Sequence, residues 1–243
     1  MGKDGQEKFR AIVNDLTNYI QNQYMMGTES LSASEMKEIG GKIETLMEKV
    51  SKGKSFSADF CTLEKVCQEL GDCNRCGLCT SRKNIVFGEG SSDASLLFVG
   101  EAPGREEDLV GKPFVGEAGK LLTRIIEAID LSRKDVYITN VLKCRPPRNR
   151  DPQPEEIKTC LPFLKKQLRI IRPRIICALG RFAAQTLLET NEKISSLRGN
   201  IYEFQNCKVV PTFHPASLLR NPQWKRPVWE DMQLIQKLLE GKN

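Results

Sequence analysis

The feature that most constrains this chain is an alternation of short apolar runs with helix-forming stretches from about residue 94 onward. ASLLFVG (94–100) reads as a strand closing on glycine, and residues 117–129 read as a helix burying Leu121, Leu122, Ile125, Ile126 and Ile129. DVYITNV (135–141) is a second strand. A helix starts near Pro154, since proline suits the first helical position, and runs to about Ile171. PRIICALG (173–180) is a third strand, followed by a helix over 181–189. CKVVPTF (207–213) is a fourth, and a last helix spans about 228–240. Strands alternating with helices predict an α/β protein: a three-layer α/β/α sandwich around a mainly parallel, four-stranded central sheet. Ligands bind such sheets outside the C-terminal ends of the strands. GEAPGREED, NVLKCRPPRNR and HPASLLR, which follow strands one, two and four, should therefore meet at one edge.

The front of the chain reads differently. Phe9, Ile12, Val13, Leu16 and Ile20 fall on one helical stripe. Met36, Ile39, Ile43, Met47 and Val50 fall on another, behind a capping box of Ser32 and Glu35. The polar run SKGKSFSAD (51–59) then reads as a linker. Residues 1–60 are thus expected to form a helical extension whose apolar stripes need a partner: each other, the main domain or a second protein. Residues 61–243 form the principal domain.

Charge follows the same division. Residues 1–70 hold 9 Lys+Arg against 11 Asp+Glu, and the remaining 173 hold 28 against 20. A basic body suits a polyanionic partner, although the same excess also serves solubility. No apolar run approaches the roughly 20 residues of a membrane span. MGKDGQEKFR carries no signal-peptide core, which predicts a cytoplasmic chain with no membrane partner. Nine cysteines without an export signal suggest a metal or iron–sulfur site rather than a disulfide framework.

The segments GEAPGREEDLVGKPFVGEAG (100–119), YITNVLKCRPPRNRDP (137–152) and FHPASLLRNP (213–222), in that order, resemble the uracil-DNA glycosylases usually called family four. The resemblance covers about residues 70–240. It implies an enzyme that extrudes uracil from single- or double-stranded DNA, hydrolyses its N-glycosidic bond, and leaves an abasic site. An extruded base needs a pocket with a face to stack on, an amide to read its edge and a donor for the charge on the departing ring. By resemblance Phe114 is the stacking ring, and Asn140 donates to uracil O4 and accepts from N3–H. His214, the one histidine of the chain, hydrogen-bonds O2 as the anion forms. Glu101, Glu107 and Asp108 form the acidic side of the pocket. Ala102 stands where better-known glycosylases carry an Asp, so Glu101 is the first candidate for positioning water. Glu107 is the candidate for the wall that excludes the thymine methyl, and the second candidate for orienting the water.

Around this pocket the charged and apolar residues suggest DNA contacts. Lys143, Arg145, Arg148 and Arg150 make a phosphate clamp, which holds the backbone without reading sequence. Leu218 is the wedge that fills the vacated stack, with Leu219 and Arg220 beside it, although two leucines near a helix start also read as core.

Cys73 and Cys76 form C-x2-C, Cys144 lies in KCRPP, and Cys160 follows sixteen residues later. Spacing alone fits either a [4Fe–4S] cluster or a structural zinc. The resemblance implies the cluster, with these four as ligands in a structural role. Cys79 extends the first pair to C-x2-C-x2-C and competes for a ligand place; Cys61 and Cys67 also depart from the family pattern, and Cys177 and Cys207 sit in apolar strands as core. A monomer is expected. The rivals are a non-catalytic iron–sulfur or zinc nucleic-acid-binding module, and an electron carrier. Both leave Phe114, Asn140 and His214 without a purpose.

Overall fold

A computed structural model describes residues 62–241 of the chain. The stripes of the helical extension, its expected protein partner and Cys61 lie outside the described residues. Helices α1 (Leu63–Leu70), α2 (Arg105–Val110), α3 (Glu117–Glu127), α4 (Pro154–Ile171), α5 (Arg181–Leu188), α6 (Ile194–Leu197), α7 (Pro215–Arg220) and α8 (Lys225–Leu239) surround strands β1 (Glu89–Gly90), β2 (Leu96–Gly100), β3 (Tyr137–Asn140), β4 (Ile175–Leu179), β5 (Tyr202–Phe204) and β6 (Cys207–Thr212).

The sheet order is β1-β3-β2-β4-β6-β5. The four inner strands are parallel, and β1 and β5 add antiparallel edges. The sheet is therefore six strands wide, not four. The two extra strands are two and three residues long, too short for a periodic pattern to mark them in the sequence. Alternation along the inner strands builds the two faces. Leu97, Val99, Ile176, Ala178 and Val209 pack with Leu164 and Leu168 of α4 and with Ala183, Ala184 and Leu187 of α5. Leu96, Phe98, Ile138, Ile175, Cys177 and Val210 pack with Leu122 and Ile126 of α3 and with Met232 and Ile235 of α8. Every residue of β2, β3 and β4 is buried, which is why β2 and β4 read as continuous apolar runs, while β3 ends on the buried polar pair Thr139 and Asn140.

Helix α4 starts at Pro154 with Glu156 accepting from the Gln153 N–H at 2.8 Å, and it ends at left-handed Arg172. Helix α8 starts three residues earlier than its apolar period implied, at Lys225. Among the described residues no helix is long and apolar enough to cross a membrane. The parallel register sets Gly100 beside Asn140. The ladder then continues past both strands, through Val141 N–H to Gly100 O at 2.9 Å and Leu142 N–H to Glu101 O at 3.0 Å.

Candidate active site

Glu101, Ala102, Glu107, Phe114, Asn140 and His214 line one cavity at the C-terminal edge of the parallel strands. Phe114 is held there at φ 52°, in the left-handed region that a side chain other than Gly, Asn or Asp seldom occupies. The loop around it is clamped from two sides. Arg133 donates to Pro113 O at 2.8 Å and Phe114 O at 3.2 Å. Glu107 accepts from Val115 N–H at 2.8 Å and Gly116 N–H at 2.9 Å through one oxygen, and from Gly104 N–H at 3.1 Å through the other. Glu107 thus ties the loop bearing Phe114 to the loop that follows β2. Gly100 explains the closeness of the parts: a methyl there would stand 2.6 Å from Phe114 Cζ and collide with Asn140 Oδ1.

Asn140 ends β3 and is 1% exposed. Its Oδ1 is buried and accepts no hydrogen bond. A buried acceptor without a donor costs about 1–3 kcal/mol, so an orphan like this one calls for an explanation.

His214 caps the start of α7, its Nδ1 accepting from Ala216 N–H at 3.1 Å. The ring proton therefore sits on Nε2, leaving that nitrogen as a donor. Burial lowers the imidazole pKa to about 4; the nearby Arg220 charge adds to this, and Glu107 opposes it. The ring is neutral at pH 7. Its centroid lies 5.6 Å from that of Phe114, at 31°.

Glu101 follows β2 at the mouth of the cavity. Burial raises its pKa to about 7, with Asp151 raising it further and Arg181 opposing. Those two partners are themselves ion-paired, Arg181 to Asp151 at 2.8 Å, and also line the cavity. Glu101 is thus a cavity carboxyl poised to change charge near neutrality.

Four sequence assignments are corrected by burial and partners. Lys143 is 0% exposed, and its ammonium is enclosed by Thr139, Asn140 and Gln167, so it presents nothing to a phosphate. Leu218 is 1% exposed and packs in the core beneath α7, whereas Leu219 is 47% exposed; the phase of this short helix assigns the outward leucine to the second position. Arg150 has both guanidinium nitrogens on Glu156, at 2.9 and 2.5 Å, which leaves it a structural partner first. Asp108 is buried and accepts from the Lys83 and Asn84 N–H groups at 2.8 and 3.2 Å, away from the cavity. Arg148 and Arg220 remain exposed, and Arg145 is half-buried beside Asn149.

Cys73, Cys76, Cys144 and Cys160 line a second, separate cavity, and Cys79 does not. Cys160 Sγ accepts from Lys143 N–H at 3.2 Å, and Arg82 reaches Cys144 Sγ at 3.6 Å. Burial pushes the Cys144 thiol up to about 12 and raises Cys160 as well. A single zinc draws its sulfurs to within about 4 Å of one another, given a Zn–S bond of about 2.3 Å, whereas a four-iron cluster spreads its four thiolates around a larger core. Four thiols ringing one cavity, two of them with N–H donors, form a donor set that suits a metal–sulfur group. Cys177 and Cys207 are buried and Cys67 is exposed.

The sequence reading missed Arg133, Arg181, Gly100 and Trp224. Trp224 stacks on Phe213 at 4.6 Å and lines the first cavity. Only Gly100 carried a local signal, as a glycine closing a strand where another backbone or ring comes close.

Comparison with known proteins bears on the same residues. A family described as the Uracil DNA glycosylase superfamily matches residues 87–233. A relative from Archaeoglobus fulgidus named Type-4 uracil-DNA glycosylase is 46% identical over 185 residues, covering 73% of this chain and 93% of the relative. One of the same name from Thermotoga maritima is 44% identical over 182 residues, covering 73% of this chain and 95% of the relative. A Type-5 uracil-DNA glycosylase from Pyrobaculum aerophilum is 30% identical and covers 53% of this chain.

Proposed function

Because this chain belongs to the uracil-DNA glycosylase superfamily, and within it to the type-4 enzymes, we propose that residues 61–243 act as a uracil-DNA glycosylase in base-excision repair, with the pocket of Phe114, Asn140 and His214 holding the extruded base. The observation that carries the site assignment is the orphaned Asn140 Oδ1. Uracil N3–H is a donor and completes that acceptor. Cytosine N3 has no hydrogen, and would set two acceptors against each other in a buried site. Leaving buried groups mispaired is how a site rejects a near-isostere.

The rest of the pocket has defined tasks. Phe114 offers its ring face to the base, a contact worth roughly 1–3 kcal/mol. Glu107 holds that ring's loop and forms the wall toward the C5 position, against which a thymine methyl collides. As the C1′–N1 bond breaks, its electron pair moves onto the uracil ring and charge collects on O2. The neutral His214 donates from Nε2 to that oxygen, a preorganised donor aimed at developing charge. Water then adds to the sugar C1′ and gives up its proton to the Glu101 carboxylate. The uracil anion takes up a proton from solvent, Glu101 returns its own to solvent, and free uracil and an abasic site result.

Arg145, Arg148 and Arg220 are the cations placed to meet DNA phosphates, in single or double strands, with Arg150 as a weaker contributor because Glu156 already occupies it. The exposed Leu219 takes the wedge role that the sequence reading gave to Leu218. Cys73, Cys76, Cys144 and Cys160 would hold a [4Fe–4S] cluster, which supplies a cross-link between the segment after α1, the loop after β3 and α4. A cytoplasmic monomer acting on uracil-containing DNA is the simplest cellular reading. The test is incision of an oligonucleotide after treatment with purified protein and alkali. Binding without base release would favour the rival reading of a non-catalytic module.

A further inference from the structure

Lys143 is the buried cation that the reaction, as derived above, leaves unused. Resting on the reading of Asn140 as the base-selecting group, we propose that Lys143 is a positioning residue that fixes Asn140 for uracil recognition.

Its Nζ donates to Asn140 O at 2.7 Å, Thr139 Oγ1 at 2.6 Å and Gln167 Oε1 at 2.7 Å. Three acceptors meet the three N–H bonds of one ammonium, and all three are neutral oxygens. The frame behind them is fixed in turn. Gln167 Nε2 donates to Phe87 O at 2.9 Å and to the Tyr137 hydroxyl at 3.2 Å, and Thr139 Oγ1 donates to Phe87 O at 2.9 Å.

Burying a lysine amine is costly, and burial here lowers its pKa to about 7. The placement of its three hydrogen bonds explains its presence. Asn140 Oδ1 has no hydrogen-bond partner to hold it, so the aim of the carboxamide depends on its backbone and on the tight contact with Gly100. The Asn140 carbonyl gripped by Lys143 belongs to the peptide that sets the residue's ψ. The Val141 N–H of that same peptide is held by Gly100 O at 2.9 Å. Both ends of one peptide plane are therefore pinned, and the side chain that projects beside it inherits the direction. Lys143 also offers its own N–H to Cys160 Sγ, so a single residue touches the thiol cavity and the recognition strand.

The experiment is a double-mutant cycle on single-turnover uracil excision, with enzyme in excess so that losses of several decades can be read. Lys143→Met keeps the side-chain length and removes every donor. It should lower the excision rate by about 10²-fold, the effect of displacing a positioned group by about an ångström. Its KM for DNA should stay near that of the parent. In the Asn140→Ala background the same change should add almost nothing, because residues acting as one unit are non-additive. A purely structural role predicts the opposite, with the two losses multiplying in full. That outcome would overturn the proposal. If Lys143→Met does not accumulate as folded protein, Thr139→Val, which keeps Lys143 and removes one of its acceptors, carries the same cycle with the same two outcomes. Near-normal excision by Asn140→Ala alone would instead sink the reading of the pocket itself.

Discussion

The base pocket and the cysteine cavity are built on opposite plans. In the pocket Glu107 serves three backbone N–H groups, and His214 Nδ1 takes a fourth. Asn140 Oδ1 is buried beside them with no partner. The cysteine cavity has four thiols and only two N–H donors upon them, Lys143 N–H and an Arg82 nitrogen. The pocket keeps one buried acceptor without a donor, while the cysteine cavity gathers four thiols around one small space. Chemistry should therefore be lost by altering single atoms in the first region, and stability by altering single atoms in the second.

The largest expected effect is at His214. His214→Ala removes the donor to O2 and should lower the excision rate about 10³-fold, toward the upper end for one such donor, with little change in melting temperature. A loss of fold in its place would erase the contrast between the two regions. Glu101→Gln comes next, with a loss of about 10²-fold, the low end for a positioned base. In the parent, the rate should rise with pH through a midpoint near 7, since Glu101 must be ionised to take a proton and burial raises it to about 7. The variant should lack that limb.

The same shift has a sign for stability. Between the ordinary value of 4.5 and about 7, the folded state keeps a proton that the unfolded state has released, so stability falls as pH rises across that window. Glu101→Gln should flatten that decline in a pH series of thermal melts.

Cys160→Ser tests the other half of the comparison. It should reduce bound iron and lower the melting temperature, while the excision rate per folded molecule stays within a few-fold of the parent, because structural groups contribute folding energy rather than chemistry. Iron content, thermal melts and active-site titration read the three quantities. The smallest effect belongs to Asp151→Asn. Asp151 raises the Glu101 pKa, so its neutralisation should move the rising limb of the pH profile toward lower pH. A shift in the opposite direction would remove Asp151 from the electrostatics of the pocket.

How much of this was legible in the sequence depends on how local each signal is. Strands β2 and β4 declared themselves because burial on both faces leaves an unbroken apolar run, and β3 and β6 through shorter apolar stretches flanked by polar residues. Edge strands β1 and β5 gave no run to read. The pocket residues were found through long motifs, yet their partners were not. Lys143 sits in a basic stretch with Arg145, Arg148 and Arg150 and reads with them as a phosphate contact. Only Gln167, supplied by α4, reveals that it turns inward. Leu218 and Leu219 are equivalent until the start of α7 at Pro215 fixes which one faces out. Arg133 supports Phe114 from the segment before β3, through carbonyl groups that no side-chain pattern reports.

The most direct test of the central claim is base release by purified protein from matched oligonucleotides carrying U·G, U·A, T·G and C·G pairs, and uracil in a single strand. A pocket whose orphan acceptor is completed by N3–H, and whose wall abuts C5, should liberate uracil from all three uracil substrates and leave thymine and cytosine in place. Release of cytosine at a rate comparable to uracil, or no release from any substrate, would contradict it.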